Sequence, residues 1–126
     1  MKKLHLLLLI LAMTACLPHR QEKGIDFRIK NKLITTITDV RLSTSERLEV
    51  AEFDSIRAGE QLSGFLSMKA NAGDGQYVLE FTRADGKMER LGAGYYTNGG
   101  PLDRLVTFKI KPDTTLVSFR TFFILK

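Results

Sequence analysis

The chain has 126 residues, 44% of them hydrophobic and 26% charged, with 3 prolines and 10 glycines, a balance that excludes a disordered or fibrous protein and fits one small globular domain. Its 19 Lys and Arg against 14 Asp and Glu give a formal charge of +5. The charges are scattered and alternate in sign, as in Arg83, Asp85, Lys87, Glu89 and Arg90, without the concentrated basic runs of a nucleic-acid module.

Lys2 and Lys3 open the chain, an apolar run from Leu4 to Met13 follows, and Thr14-Ala15 place small residues directly before Cys16. A membrane-spanning helix needs about 20 apolar residues, so the run is too short to span and has the charge, apolar and small-residue order of an export signal. Met13-Thr14-Ala15-Cys16 resembles the bacterial lipobox, with Met13 in the position most often held by Leu. The resemblance implies that residues 1–15 are a cleaved signal peptide and that Cys16 carries diacylglycerol and a further acyl chain. Removing Lys2 and Lys3 leaves 17 basic against 14 acidic residues, or +3. Residues 16–23 read as a short polar tether and residues 24–126 as the folded domain. Cys16 is the only cysteine, so no internal disulfide is available and stability must come from the core. Leu17 and the basic tether match neither the sorting signal for inner-membrane retention nor that for surface display. This implies an outer membrane facing the periplasm where the host has two membranes.

From Gly24 onward the apolar pattern has period two, which predicts strands. Ile25, Phe27 and Ile29 alternate with polar residues and stop near Asn31-Lys32. The next strand spans about Leu33 to Leu42, and its mixed parity predicts a bulge near Thr38-Asp39. Ser43-Thr44-Ser45 begins a polar connection, and a single helical turn fits the apolar positions between Leu48 and Ile56. A turn at Ala58-Gly59-Glu60 leads to a strand from Leu62 to Lys69, then a loop from Ala70 to Gly75. Tyr77, Leu79 and Phe81 give the clearest strand, closed by a hairpin at Asp85-Gly86 with Lys87 to Leu91 returning. After a glycine-rich segment from Gly92 to Gly100, Leu102 to Ile110 alternates again. Leu116 to Leu125 is apolar on both parities, which predicts a central strand or one covered on both faces. About seven short strands without a long helix predict an all-β antiparallel two-sheet sandwich, immunoglobulin-like or a related Greek key, with a small barrel as the alternative.

The arrangement resembles the small β-sandwich lipoproteins of Bacteroidetes-type bacteria. The residues that carry this are the lipobox, Phe27-Arg28-Ile29-Lys30-Asn31, Ala58-Gly59-Glu60, Gly73-Asp74-Gly75-Gln76-Tyr77 and Gly94-Tyr95-Tyr96-Thr97-Asn98-Gly99. The resemblance implies a fold and an address, and no catalytic residue.

His5 belongs to the signal and His19 to the tether, so the domain contains neither histidine nor free thiol. Ser-His-Asp and Cys-His nucleophiles, histidine acid–base pairs and His/Cys zinc sites therefore lack their residues, and no enzyme is expected. Asp74, Asp85, Asp103 and Asp113 read as turn residues rather than a glycosidase pair. The Asn71 to Asp74 loop supplies too few side-chain oxygens for calcium, and the glycines from Gly92 to Gly100 lack the context of a phosphate cradle, so neither metal nor cofactor is expected. Tyr95 and Tyr96, with Asn98 and Arg104 as donors, are the candidate ligand-binding residues, through stacking on a sugar or contact with a protein. Against that, one tyrosine of an adjacent pair on a strand must face the core. The expected function is a lipid-anchored envelope module that binds a protein, with carbohydrate binding through the Tyr95-Tyr96 loop as the alternative. The oligomeric state is not legible from the sequence.

Overall fold

Period-two alternation buries one face of each strand, and two such faces closed against each other make the core. The computed structural model describes residues 22–122. Nine strands follow in order: β1 (Gly24–Asn31), β2 (Ile37–Thr44), β3 (Val50–Ile56), β4 (Gln61–Ser67), β5 (Gly75–Thr82), β6 (Met88–Thr97), β7 (Gly100–Pro101), β8 (Asp103–Ile110) and β9 (Thr115–Thr121). They form two sheets, β4-β1-β8-β9 and β3-β2-β5-β6-β7, which makes the molecule an all-β sandwich rather than a single barrel. The pairing is antiparallel except between β1 and β8, which run parallel, as only strands joined by a long excursion can. Ile25, Phe27, Ile29, Val106, Phe108 and Ile110 of the first sheet face Ile37, Val40, Leu42, Tyr77, Leu79 and Phe81 of the second. The Phe27 ring meets Phe53 edge-on across the gap, with centroids 6.0 Å apart.

β1, β5 and β8 follow the alternation read from the sequence. The bulge expected near Thr38-Asp39 is present: the β2/β5 register shifts between Thr38 and Arg41, and Asp39 has φ 50°. At the Asp85-Gly86 hairpin only Gly86 takes positive φ, while the Asp85 carboxylate accepts the Lys87 amide at 2.9 Å.

Several boundaries differ for local reasons. β2 begins at Ile37, not Leu33, because the buried Asn31 side chain organises the intervening residues into a turn. Its Oδ1 accepts the Leu33 amide at 3.0 Å and its Nδ2 donates to the Thr35 carbonyl at 2.9 Å, which leaves Ile34 almost fully exposed. Ser43 and Thr44 end β2 instead of beginning a connection, and Thr44 is buried against Asn71. The helical turn expected between Leu48 and Ile56 is instead β3, held in register by β2 from Ile37↔Ile56 to Ser43↔Val50. Gly92 to Thr97 extends β6, with a bulge opposite Gly75-Tyr77 where Gly94 has φ 71°. The last strand is an edge strand and is neither central nor covered on both faces. Val117 and Phe119 pack on the core while Leu116, Ser118 and Arg120 face outward. Phe123, Ile124 and Leu125 of that expected strand lie outside the described residues, as do the signal segment 1–15 and Cys16.

Candidate functional site

The candidate residues sit at the end of the sandwich where the chain enters. Lys23 is held there twice, since its carbonyl accepts the Met68 amide and its Nζ donates to the Asn71 carbonyl, at 2.8 and 3.0 Å. Asp74, just before β5, ties the β4–β5 loop to the end of β6. It accepts the Tyr95 hydroxyl at 3.0 Å, the Thr97 hydroxyl at 2.9 Å and the Asn98 amide at 2.9 Å. These donors, the Asn98 amide first, hold the Asp74 carboxyl below the ordinary carboxylate range. Asn98 (φ 50°) and Gly99 (φ 72°) form the tight turn between β6 and β7, where two left-handed residues in sequence match the strand twist.

The four candidate residues do not form one site. Tyr96 is fully buried, its ring 5.8 Å from that of Tyr77, and its hydroxyl has no hydrogen-bond partner among the described residues. It is a core residue and unavailable to a ligand, because the bulge at Gly94 shifts the parity set by Leu91 and turns Tyr96, rather than Tyr95, inward. Tyr95 is about half exposed (51%), with its hydroxyl engaged by Asp74. Asn98 serves the turn. Arg104 lies on β8, in the other sheet, and lines a depression with Arg28 and Arg120. The oxygens of the Asn71 to Asp74 loop are likewise engaged: Asn71 pairs with Thr44, and Asp74 with β6 and the turn beyond it. Among the described residues, no group of three or more His, Cys, Asp or Glu is placed to hold a metal.

What the candidate list misses is a contrast between the two outer faces. On the five-stranded sheet the register sets Glu52 beside Arg41, Arg41 beside Glu80, and Glu80 beside Arg90. Arg41 contacts Glu52 at 2.7 Å and Arg90 contacts Glu80 at 3.5 Å, so the row neutralises itself. Asp39 and Asp54 border the same depression, of about 780 Å³, and leave this face acidic.

The four-stranded sheet has the opposite character. Phe65, Asp26, Leu105 and Arg120 form one row, with Arg104 at the adjacent bulge in β8. Ser63, Arg28, Thr107 and Ser118 form the next, and Gln61, Lys30, Lys109 and Leu116 the third. Arg28, Arg104 and Arg120 surround a shallow depression of about 540 Å³ with Asp26 as its single acid. None of the ion pairs among the described residues involves these arginines. In sequence the three are separated by long intervals, and only the β1-β8-β9 pairing brings them together.

At the far end, Arg83 closes the core. It forms a two-pronged pair with Glu89 at 2.6 and 3.1 Å, donates to the Lys111 carbonyl at 3.1 Å and lies 5.5 Å from the Phe81 ring centre. The hydrogen bonds between the partners raise the Arg83 pKa and lower that of Glu89.

No protein-family model and no curated protein matches the chain. Among solved structures, an NMR structure of a protein from Eubacterium rectale is similar, with a TM-score of 0.50 and 9% identity over 82% of this chain and 95% of the other. That likeness speaks for the sandwich alone.

Proposed function

We propose that the chain is an exported lipoprotein, anchored through acyl groups on Cys16 to the cell envelope, whose sandwich is a non-enzymatic interaction module. The anchor rests on the lipobox resemblance of Met13-Thr14-Ala15-Cys16, which with the strand and turn segments named above also supports the likeness to Bacteroidetes-type lipoproteins. Leu17 and the basic tether, matching neither sorting signal, support an outer membrane facing the periplasm. One observation of the sandwich carries the interaction reading. The buried side chains of Asn31, Thr44 and Asn71 bond one another or the backbone, and the depressions described lie on the outer faces of the sheets. Such a molecule works through its surfaces. The sequence of the described residues adds to this, since it contains no histidine and no cysteine to serve as acid–base or nucleophile. Carbohydrate binding through the Tyr95-Tyr96 loop retains only one exposed ring, because Tyr96 belongs to the core and Arg104 to the other sheet.

The test is metabolic labelling of the host with an alkyne fatty acid, for the wild-type chain and for Cys16→Ala. The expected result is label on a membrane-bound wild-type protein and none on the variant. A wild-type protein that takes no label overturns the anchor.

A further inference from the structure

The basic face of the four-stranded sheet has no use in the fold. Five cations, Arg28, Lys30, Arg104, Lys109 and Arg120, stand outward on its strands against a single acid, Asp26. The remaining acid on these strands, Asp103, is partly buried, which raises its pKa. We propose that this face is a docking surface for an anionic lipid bilayer. The inference rests on the lipoprotein reading for which membrane is meant, namely the one that holds Cys16, and for the support drawn from the entry point of the chain.

Three features favour a lipid surface over a soluble polyanion. The cations are spread across three strands and three successive rows, as a plane of headgroups would meet them, rather than converging on one point. Guanidinium groups suit phosphodiester oxygens because their fork makes paired charge-assisted hydrogen bonds. The acidic residues on the opposite face, Asp39, Glu52, Asp54 and Glu80, would be repelled by the same surface, so only one orientation is favoured.

The entry point of the chain adds a fourth. Lys23 is fixed at the Gly24 end of β1, and the seven steps back to Cys16 span at most about 25 Å. Arg104 and Arg120 lie in the row nearest that end, so an anchored chain brings them to the headgroups first. Anchoring also converts docking into an event at high local headgroup concentration.

The experiment is co-sedimentation of the full chain carrying Cys16→Ala with vesicles of phosphatidylcholine alone, or with roughly 30% phosphatidylglycerol, at physiological salt. Lys2, Lys3 and the basic tether favour the anionic vesicles equally in every variant, so the loss in one triple variant relative to the other reports the charged face. Each cation near the surface contributes about fivefold, so the triple variant Arg28→Gln/Arg104→Gln/Arg120→Gln should lose on the order of 100-fold in binding to anionic vesicles. The control Arg41→Gln/Arg57→Gln/Arg90→Gln, which changes two arginines of the opposite face and one in the connection between β3 and β4, carries the same net charge and should keep wild-type binding or exceed it. Binding should fall steeply as salt shortens the screening length.

Equal binding to both vesicle types, or equal losses in the two triple variants, would overturn the proposal. So would binding of polyphosphate through the same arginines without any preference for anionic vesicles, which would assign the face to a soluble polymer. Acylation is absent throughout, so failure here leaves the Cys16 reading intact, and failure of the labelling experiment leaves this one intact.

Discussion

Asn31 is the most exacting test of how the two sheets are joined. Its side chain is fully buried at the end of β1 and binds two separate segments, the turn that follows β1 and the end of β3. Oδ1 accepts the Leu33 amide at 3.0 Å, and Nδ2 donates to the carbonyls of Thr35, Ile56 and Arg57 at 2.9, 3.0 and 3.2 Å. The amide has two hydrogens for three carbonyls, so these contacts amount to about three full bonds, each worth about 0.5–1.5 kcal/mol net. Asn31→Ala should therefore destabilise the protein by about 3 kcal/mol, a fall in Tm of roughly 10–20 °C for a domain of this size. Thermal and urea unfolding followed by circular dichroism at pH 7 would measure it. Asn31→Asp sharpens the reasoning, because it keeps the acceptor for Leu33 but points a carboxylate oxygen at carbonyls. Those carbonyls favour the protonated acid and raise the folded-state pKa above the unfolded value. Its stability should thus be lower than that of Asn31→Ala at neutral pH and rise as pH is lowered. A loss below about 0.5 kcal/mol for Asn31→Ala would refute the account, since that is the range of an ordinary surface substitution.

Other substitutions separate backbone from packing. Gly94→Ala should cost about 2–4 kcal/mol in chemical unfolding, since a Cβ there meets the Phe119 ring at φ 71°. Gly86→Ala, at φ 88° with open space around it, should cost about 1–2 kcal/mol from the backbone alone. Tyr96→Ala should destabilise by about 3–5 kcal/mol, whereas Tyr95→Ala should remain near wild type in Tm, the reverse of what two equivalent surface tyrosines would give. The lowered Asp74 pKa means that its contribution is present above the ordinary carboxylate value and is lost as pH falls through the lower, folded value. Hydrogen exchange at the Asn98 amide should therefore stay protected until the solution is more acidic than that ordinary value, and Asp74→Ala should abolish the protection at every pH.

Much of the sandwich could be read from period-two alternation because β1, β5 and β8 each bury a regular face, and a break in parity is enough to locate the Thr38-Asp39 bulge. The sequence is silent where a side chain from elsewhere decides the local backbone. Residues 33–36 look like strand until Asn31 captures Leu33 and Thr35. Gly92 and Gly94 look like loop because glycine disfavours strands, yet a bulge with Phe119 pressed against it requires glycine at position 94. β9 appears central because apolar residues occupy both parities, and its place at the edge depends on which neighbours remain unpaired. The Tyr95-Tyr96 pair splits between surface and core as strand geometry demands. The basic face was invisible for another reason: Arg28, Arg104 and Arg120 become neighbours only through a parallel pairing that no local pattern encodes.

The place of β1 also bears on mechanics. It lies between β4 and β8, hydrogen-bonded on both sides, and it is the first strand after the segment that leads to Cys16. A pull between an anchored N-terminus and a partner gripping the turns at the opposite end would run along the length of β1. The rungs to both neighbours would then be loaded in shear, together, rather than opened one at a time as at the end of a hairpin. A domain built in this way would hold its shape under tension until many backbone bonds yield at once, even though its sequence offers no disulfide to reinforce it.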